Sequence, residues 1–207
     1  MKRLVYKPFG PSILKVQIPH EIIDKLNEYT ETRLSKDLDK LNINVGDQLA
    51  GNVSQEIMIE TEALKLSGFD NFLMNECANW IYSSSKQKIK KFNLVSSWIV
   101  RQFQNEYNPL HTHTGHVSGV GYLKVPNNLG ETKQTNKPNK NGYLQLVHGS
   151  KNFMSQSVFN IKPKVGDFYF FPHYLMHVVY PFCDTKEERR SVSFNAYIDN
   201  EIYSSTD

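Results

Sequence analysis

Residues 108–125 read NPLHTHTGHVSGVGYLKV, a histidine-rich extended segment that leads into a run of β-branched and aromatic residues. The second half of this stretch predicts a strand over Val117–Val125, which ends at Pro126 because proline cannot donate to a sheet ladder. Short segments of the same kind, separated by turn residues, continue toward the C-terminus. Their recurrence is typical of a β-sandwich or barrel.

The whole chain therefore predicts an α+β fold: a double-stranded β-helix (jelly roll) core with N-terminal helices packed on its major sheet. We expect a single domain over 1–207, with a mainly helical support region at 1–92 and a jelly-roll core at 93–200. Residues 127–142 are nearly devoid of apolar side chains and predict a flexible loop, either a lid or a plain solvated connection. The candidate strands are Val95–Gln104, Val117–Val125, Tyr143–Val147, Asp167–Phe171, Met176–Tyr180 and Ser191–Tyr197.

Two patterns predict helices in the first part of the chain. Pro19 can start a helix, after which Ile22, Ile23 and Leu26 recur at helical spacing. A second helix is expected from Ser67 onward, with lysines in its last turns to suit the helix macrodipole. It carries an apolar stripe that we expect to pack against a sheet. The stripe consists of Phe69, Phe72, Leu73, Cys77, Trp80 and Ile81.

The composition is that of a folded protein of ordinary domain size. Hydrophobic residues make up 39% of the 207 residues, which supplies a core and excludes wholesale disorder. A formal net charge of +3 is too small to indicate a general nucleic-acid binder. No run of about 18 apolar residues occurs, so we predict neither a signal peptide nor a membrane span, and expect a cytoplasmic protein. Cys77 and Cys183 are expected to stay reduced.

Histidine clustering is the first indication of function, because six of the seven histidines lie between residues 111 and 177. On an extended segment, the spacing of His111 and His113 points both imidazoles to the same side. His177, which follows a strand-like DFYFFP run, is the natural third ligand of one metal. The alternative is that these are ordinary surface or core histidines.

A second polar feature follows on the last predicted strand, where Arg189, Ser191, Ser193 and Asn195 alternate with Arg190 and apolar residues. If this polar face looks toward the histidines, Arg189 and Ser191 form a site suited to one carboxylate. The pattern equally allows a surface ion pair. In that case Arg189 or Arg190 would pair with Glu187, Glu188 or Asp184.

In this order, four pieces of sequence resemble the iron(II) and 2-oxoglutarate dependent oxygenases, in particular their small jelly-roll branch in bacteria and bacteriophages. The pieces are Asn108–His113, Ser118–Leu123, Pro163–His177 and the Arg189-x-Ser191-x-Ser193-Phe194-Asn195 run. They span roughly residues 95–197, and the helical first third carries no diagnostic motif.

The resemblance implies a role for each matched residue. His111, His113 and His177 would bind Fe(II), whereas Arg189, helped by Ser191 and Tyr122, would bind 2-oxoglutarate. The remaining candidate for the 2-oxoglutarate carboxylate is Arg190, which the alternation places on the other strand face. The implied reaction uses O2, releases succinate and CO2, and hydroxylates an unidentified substrate. That substrate would be a peptide, a protein side chain or a small molecule, in the cytoplasm of a bacterium or a phage-infected cell.

One position departs from the wider superfamily, whose usual metal site has two histidines and one carboxylate. His113 stands where the carboxylate is expected, and Asp167, at the far end of its strand, is assigned to a structural turn. Two other readings stay open: a three-histidine zinc hydrolase or lyase, and a non-catalytic jelly-roll binding or accessory protein. A cupin is disfavoured because no glutamate follows His113 closely. The oligomeric state is not predicted.

Overall fold

A computed structural model describes residues 3–6, 10–35, 52–133 and 136–205. Within these ranges the strands are β1 (Leu4–Tyr6), β2 (Ile13–Gln17), β3 (Gln55–Met58), β4 (Phe92–Gln102), β5 (Asn108–His111), β6 (Val117–Lys124), β7 (Leu144–Val147), β8 (Val158–Ile161), β9 (Asp167–Pro172), β10 (Met176–Val179) and β11 (Arg189–Ile198). The helices are α1 (His20–Ser35), α2 (Thr61–Ser67), α3 (Phe69–Ser85) and α4 (Asn200–Tyr203).

The described strands form two antiparallel sheets. The major sheet has the order β1-β2-β9-β6-β11-β4-β3, and the minor sheet has the order β5-β10-β7-β8. Most neighbours in the sheets are not consecutive in sequence, as in the pairs β2-β9, β6-β11 and β5-β10, which is the pattern of a jelly roll. The predicted fold class is therefore confirmed, and the boundaries of the six predicted strands agree with the structure to within a few residues.

The helices cover the outer face of the major sheet. The entire predicted apolar stripe of α3 is buried in one cluster with side chains of β9 and β11. Phe72 meets Phe168 edge to face, with 5.5 Å between ring centroids, and Trp80 contacts Phe170 at 6.4 Å. A second apolar cluster, which includes Leu146 and Phe171, fills part of the space between the two sheets. The rest of that space is a cavity.

Several local predictions were wrong. The N-terminal region contributes three strands, β1, β2 and β3, which supply both edges of the major sheet. The helix expected from Ser67 is interrupted at Gly68, whose φ of 77° ends α2 before α3 begins. Because α3 stops at Ser85, the lysines that follow lie outside its last turn. The strand β8 was also missed.

Two predictions fall partly outside the described residues, namely positions 36–51 of the helical region and positions 134–135 of the predicted loop. The described parts of 127–142 contain neither helix nor strand. They contact the segment before β11, where the Cys183 amide donates to the Leu129 carbonyl over 3.3 Å. The flexibility of this loop and the single-domain organisation stay predictions. Among the described helices, none has the length and apolar character needed to cross a bilayer.

Candidate active site

The cavity between the sheets has a volume of about 340 Å³. One end of its wall carries the three predicted metal-binding histidines, and β11 supplies the polar face predicted from its alternation. The apolar part of the wall comes from both sheets. The described lining residues include Trp98, Val100, Val120, Leu144, Phe171 and Val179.

His111, His113 and His177 converge in this cavity. His111 and His177 are register partners on the adjacent strands β5 and β10, and His113 follows β5 by two residues. One ring nitrogen from each residue lies within 4.8 Å of the other two. The Nε2 atoms of His113 and His177 are 3.1 Å apart. Three imidazoles at such distances can share a single ion.

Hydrogen bonds to the far side of two rings fix which nitrogen faces inward. The Nδ1 atom of His111 lies 2.7 Å from the Pro109 carbonyl, and that of His177 lies 2.9 Å from the Leu175 carbonyl. A carbonyl oxygen only accepts, so each Nδ1 carries the proton and each Nε2 keeps a lone pair. Metal-binding histidines are oriented in this way.

The pKa values of the three histidines favour the neutral form that metal binding requires. Burial is the main cause of the lowered pKa of His111, His113 and His177. Mutual repulsion adds to it, because a proton on His177 disfavours a second proton on His113. The donor set, its inward-facing nitrogens and its neutrality together fit a divalent metal ion.

The loop that carries His113 is held by the turn after β9. The His113 amide donates to the His173 carbonyl, and Nδ1 of His173 donates to the His113 carbonyl, both over 3.0 Å. Nε2 of His173 then accepts the hydroxyl proton of Tyr203 at 2.7 Å. The Tyr203 ring lies flat against His116, with 3.8 Å between centroids and 5° between planes. Through His173, the helix α4 thus supports the position of His113.

Arg189 enters the same cavity from β11 and is only 2% exposed. Its Nη1 donates to the Gly142 carbonyl over 2.8 Å, and its guanidinium carbon lies 5.9 Å from the centre of the Tyr122 ring. No carboxylate of the described residues pairs with it, and its Nε has no hydrogen-bond partner among them. Desolvation lowers its pKa. A buried cation in this state fits a carboxylate ligand.

Arg190 has a different environment. It points to the opposite face of β11 and binds Glu188, Glu31 at 2.7 Å and Asn27 Oδ1 at 3.0 Å. Arg190 therefore forms an ion pair with Glu188, as the alternative allowed, but the pair is buried and does not lie on the surface. Arg189 lies in the cavity instead.

Ser191 and Tyr122 also line the cavity, as register partners on β11 and β6. Burial raises the pKa of the Tyr122 phenol, which keeps it protonated and able to donate a hydrogen bond. Asp167 lies outside the cavity and pairs with Lys15 at 2.6 Å, in agreement with a structural role.

Two polar residues of the cavity wall, Glu56 on β3 and Asn108 on β5, have no role that could be predicted from the sequence. Glu56 is 1% exposed, and burial raises its pKa to about 7. Its local sequence SQEIMIE contains no signal for this position. Only the pairing of β3 with β4 turns this carboxyl inward.

The family described as "Putative 2OG-Fe(II) oxygenase" has a sequence model that matches residues 96–195. That range contains all three histidines, Tyr122, Arg189 and Ser191. No curated protein matches the chain.

Solved structures with the same fold include two prolyl hydroxylases. A prolyl-4-hydroxylase from Pseudomonas putida has a TM-score of 0.53 and 16% identity, over 88% of this chain and 91% of its own. A prolyl hydroxylase from Trichoplax adhaerens, in complex with a hypoxia inducible factor peptide fragment, has a TM-score of 0.56 and 16% identity, over 94% and 87%. HygX from Streptomyces hygroscopicus, with nickel, 2-oxoglutarate and hygromycin B bound, has a TM-score of 0.54 and 11% identity, over 88% and 81%. At these identities the likeness establishes the fold.

Proposed function

Because this chain belongs to the superfamily of iron(II) and 2-oxoglutarate dependent oxygenases, we propose that it hydroxylates its substrate at the cavity between the two sheets. The observation that carries this proposal is the pairing of a three-histidine cluster with a buried arginine that has no carboxylate partner among the described residues. His111, His113 and His177 would hold the iron. Arg189 would hold the far carboxylate of 2-oxoglutarate.

Each proposed ligand has a defined task. The backbone carbonyls of Pro109 and Leu175 retain the Nδ1 protons of His111 and His177, which leaves both Nε2 atoms available to the metal. When bound, Fe(II) and 2-oxoglutarate supply the oxidative chemistry, in which O2 is consumed, succinate and CO2 are released and a C–H bond is hydroxylated.

Binding of 2-oxoglutarate would compensate the positive charge of Arg189 in the cavity. A carboxylate on Arg189 supplies the negative charge that this buried guanidinium lacks and gives its Nε an acceptor. Ser191 and Tyr122 would add hydroxyl donors from the neighbouring strand positions. Leu144 and Val179 line the same space and would help to exclude water.

His113 in place of the usual carboxylate changes the charge of the site. Three neutral imidazoles leave the full charge of +2 on the metal, whereas a carboxylate ligand would reduce it to +1. A higher charge strengthens the attraction for anionic 2-oxoglutarate and alters the redox behaviour of the iron.

For the substrate we propose a peptide or protein side chain, supported by the fold shared with prolyl hydroxylases, one of them solved with a peptide. The segment from His177 to Pro181 also resembles prolyl hydroxylases. A small molecule is the alternative, since HygX shares the fold and was solved with hygromycin B. A cytoplasmic site of action and a bacteriophage origin stay predictions.

The test is succinate formation from 2-oxoglutarate by anaerobically purified protein that is loaded with Fe(II) and then exposed to O2. We expect turnover without added substrate in the wild type, and its loss in His177→Ala and Arg189→Ala. His20→Ala, which removes an exposed histidine of α1, is the matched control and should behave as the wild type. A protein that retains zinc, binds no 2-oxoglutarate and forms no succinate would contradict the proposal and favour the zinc enzyme.

A further inference from the structure

Glu56 occupies an unusual place for a carboxyl group. Its strand β3 is the edge of the major sheet, and its register partner on β4 is Val100, which faces the cavity. Val100 in turn pairs with Ser191, the next member of the same row across the sheet. With strands about 4.8 Å apart, Glu56 lies roughly 10 Å from Ser191. It therefore flanks the space assigned to 2-oxoglutarate instead of entering it.

Burial of the carboxyl group of Glu56 disfavours its charged form. Glutamate is almost never fully buried, and desolvation of its charged form is reflected in the pKa of about 7 for Glu56. Buried acids of this kind in clefts are candidates for a functional role.

Asn108 lies on the same side of the cavity as Glu56. Asn52 pairs with Tyr107 through hydrogen bonds of 2.8 and 3.3 Å, which joins the chain before β3 to the start of β5. The next residue, Asn108, lines the cavity, and its buried Oδ1 has no hydrogen-bond partner among the described residues. The edges of the two sheets thus bring two oxygen acceptors, those of Glu56 and Asn108, to one wall.

Trp98 completes the wall. It lies two residues from Val100 on the same face of β4, diagonal to Glu56, so their Cβ atoms are about 7 Å apart. Its indole also contacts His113, with 5.6 Å between ring centroids. A group bound between Glu56 and Trp98 is therefore close to the metal-binding cluster.

We propose that Glu56, Asn108 and Trp98 form a subsite for a cationic group of the substrate, such as the ammonium or guanidinium group of a lysine or arginine side chain. Carboxylate and amide oxygens accept hydrogen bonds from such a donor, and an aromatic ring stabilises its charge. The two ligands would then bind at different residues of the cavity according to their charge: the anionic cosubstrate at Arg189 and the cationic substrate group at Glu56. This assignment rests on the proposed function and narrows its substrate class.

The test uses four pools of peptides with degenerate flanks and a central lysine, arginine, norleucine or glutamate. Succinate formation above the substrate-free rate is measured with the Fe(II)-loaded wild type and with Glu56→Gln. We expect the lysine or arginine pool to stimulate the wild type at least about tenfold more than the norleucine and glutamate pools. The isosteric Glu56→Gln should lose that preference, and Asn108→Asp, which adds a second negative charge, should increase it.

Gln55→Glu is the matched control, because it places a new carboxylate at the adjacent position on the opposite face of β3. It should keep the wild-type preference. Succinate formation with no preference for a cationic pool, or with a preference that survives in Glu56→Gln, would overturn the subsite and leave the oxygenase assignment intact. Absence of succinate under every condition would instead overturn the proposed function, and the subsite with it.

Discussion

The two adjacent arginines of β11 should respond to the same substitution in opposite ways. Replacement by methionine removes the charge and keeps most of the side-chain length. Arg189→Met takes a desolvated guanidinium, with no carboxylate partner among the described residues, out of the cavity. Arg190→Met removes the cation that holds Glu188 and Glu31 together.

For Arg189→Met the expected effect is on 2-oxoglutarate. Loss of one partner of a buried, hydrogen-bonded charge pair amounts to roughly 2–5 kcal/mol, so the KM for 2-oxoglutarate should rise by a factor of about 30 or more. The free energy of unfolding of the ligand-free protein should not fall, because the substitution removes a buried charge that burial disfavours.

For Arg190→Met the expected effect is on stability. Breaking a buried ion pair costs about 3–5 kcal/mol, and the lower end applies here. The Glu31 side chain is 57% exposed, and Glu188 keeps contacts with Arg101 and Lys124 after the change. A loss of about 3 kcal/mol corresponds to a decrease in Tm of roughly 6–12 °C, with little change in the KM for 2-oxoglutarate.

The assays are initial rates of succinate formation over a range of 2-oxoglutarate concentrations, and urea unfolding of both variants without ligand. A raised KM in Arg190→Met together with a normal KM in Arg189→Met would show that the two faces of β11 are assigned the wrong way round. An unchanged KM in both variants would place the carboxylate away from this strand.

Three further outcomes follow from the described contacts. Tyr203→Phe keeps the ring but removes the hydroxyl that donates to His173, so Co(II) affinity measured by spectroscopic titration should fall a few-fold; an unchanged affinity would mean that this hydrogen bond does not support the metal site. Gly119→Ala would bring a Cβ within 2.6 Å of a backbone carbonyl oxygen, so urea unfolding should register a loss of about 1–3 kcal/mol. Cys77 is buried with a raised pKa, so in the native state a thiol reagent should modify only Cys183; equal rates at both thiols would contradict the packing of α3.

The second half of the fold could be predicted from the sequence because its strands are rich in β-branched and aromatic residues and are bounded by turns. The strands before residue 60 could not, since their pairing is decided far away in the chain. Ile13–Gln17 pairs with the strand that begins at Asp167, and Gln55–Met58 pairs with Phe92–Gln102. Nothing in a segment such as QEIM distinguishes an edge strand from a loop until its partner is known.

In the candidate site, too, some residues could be placed from the sequence of their own strand, and others could not. Alternation on one strand was enough to place Arg189 and Arg190 on opposite faces, because the strand period of two holds wherever a strand exists. The inward turn of Glu56 depends on the register between β3 and β4, and a shift of one residue would place Gln55 there instead. The local sequence pattern therefore identifies residues whose orientation follows from alternation on their own strand. It misses residues whose orientation depends on pairing with a strand that is distant in the sequence.

The two sheets contribute different functional groups to the cavity. The histidine cluster comes from the minor sheet and the loop after β5, whereas Arg189 and Glu56 come from the major sheet. The distance from the metal-binding cluster to either charged group is therefore set by the packing between the sheets, where Leu146 and Phe171 are buried. A change in the volume of these side chains would alter where a bound substrate lies relative to the histidines without touching any polar group of the site. Apolar residues of this inner layer thus belong to the determinants of substrate position as much as the charged groups do.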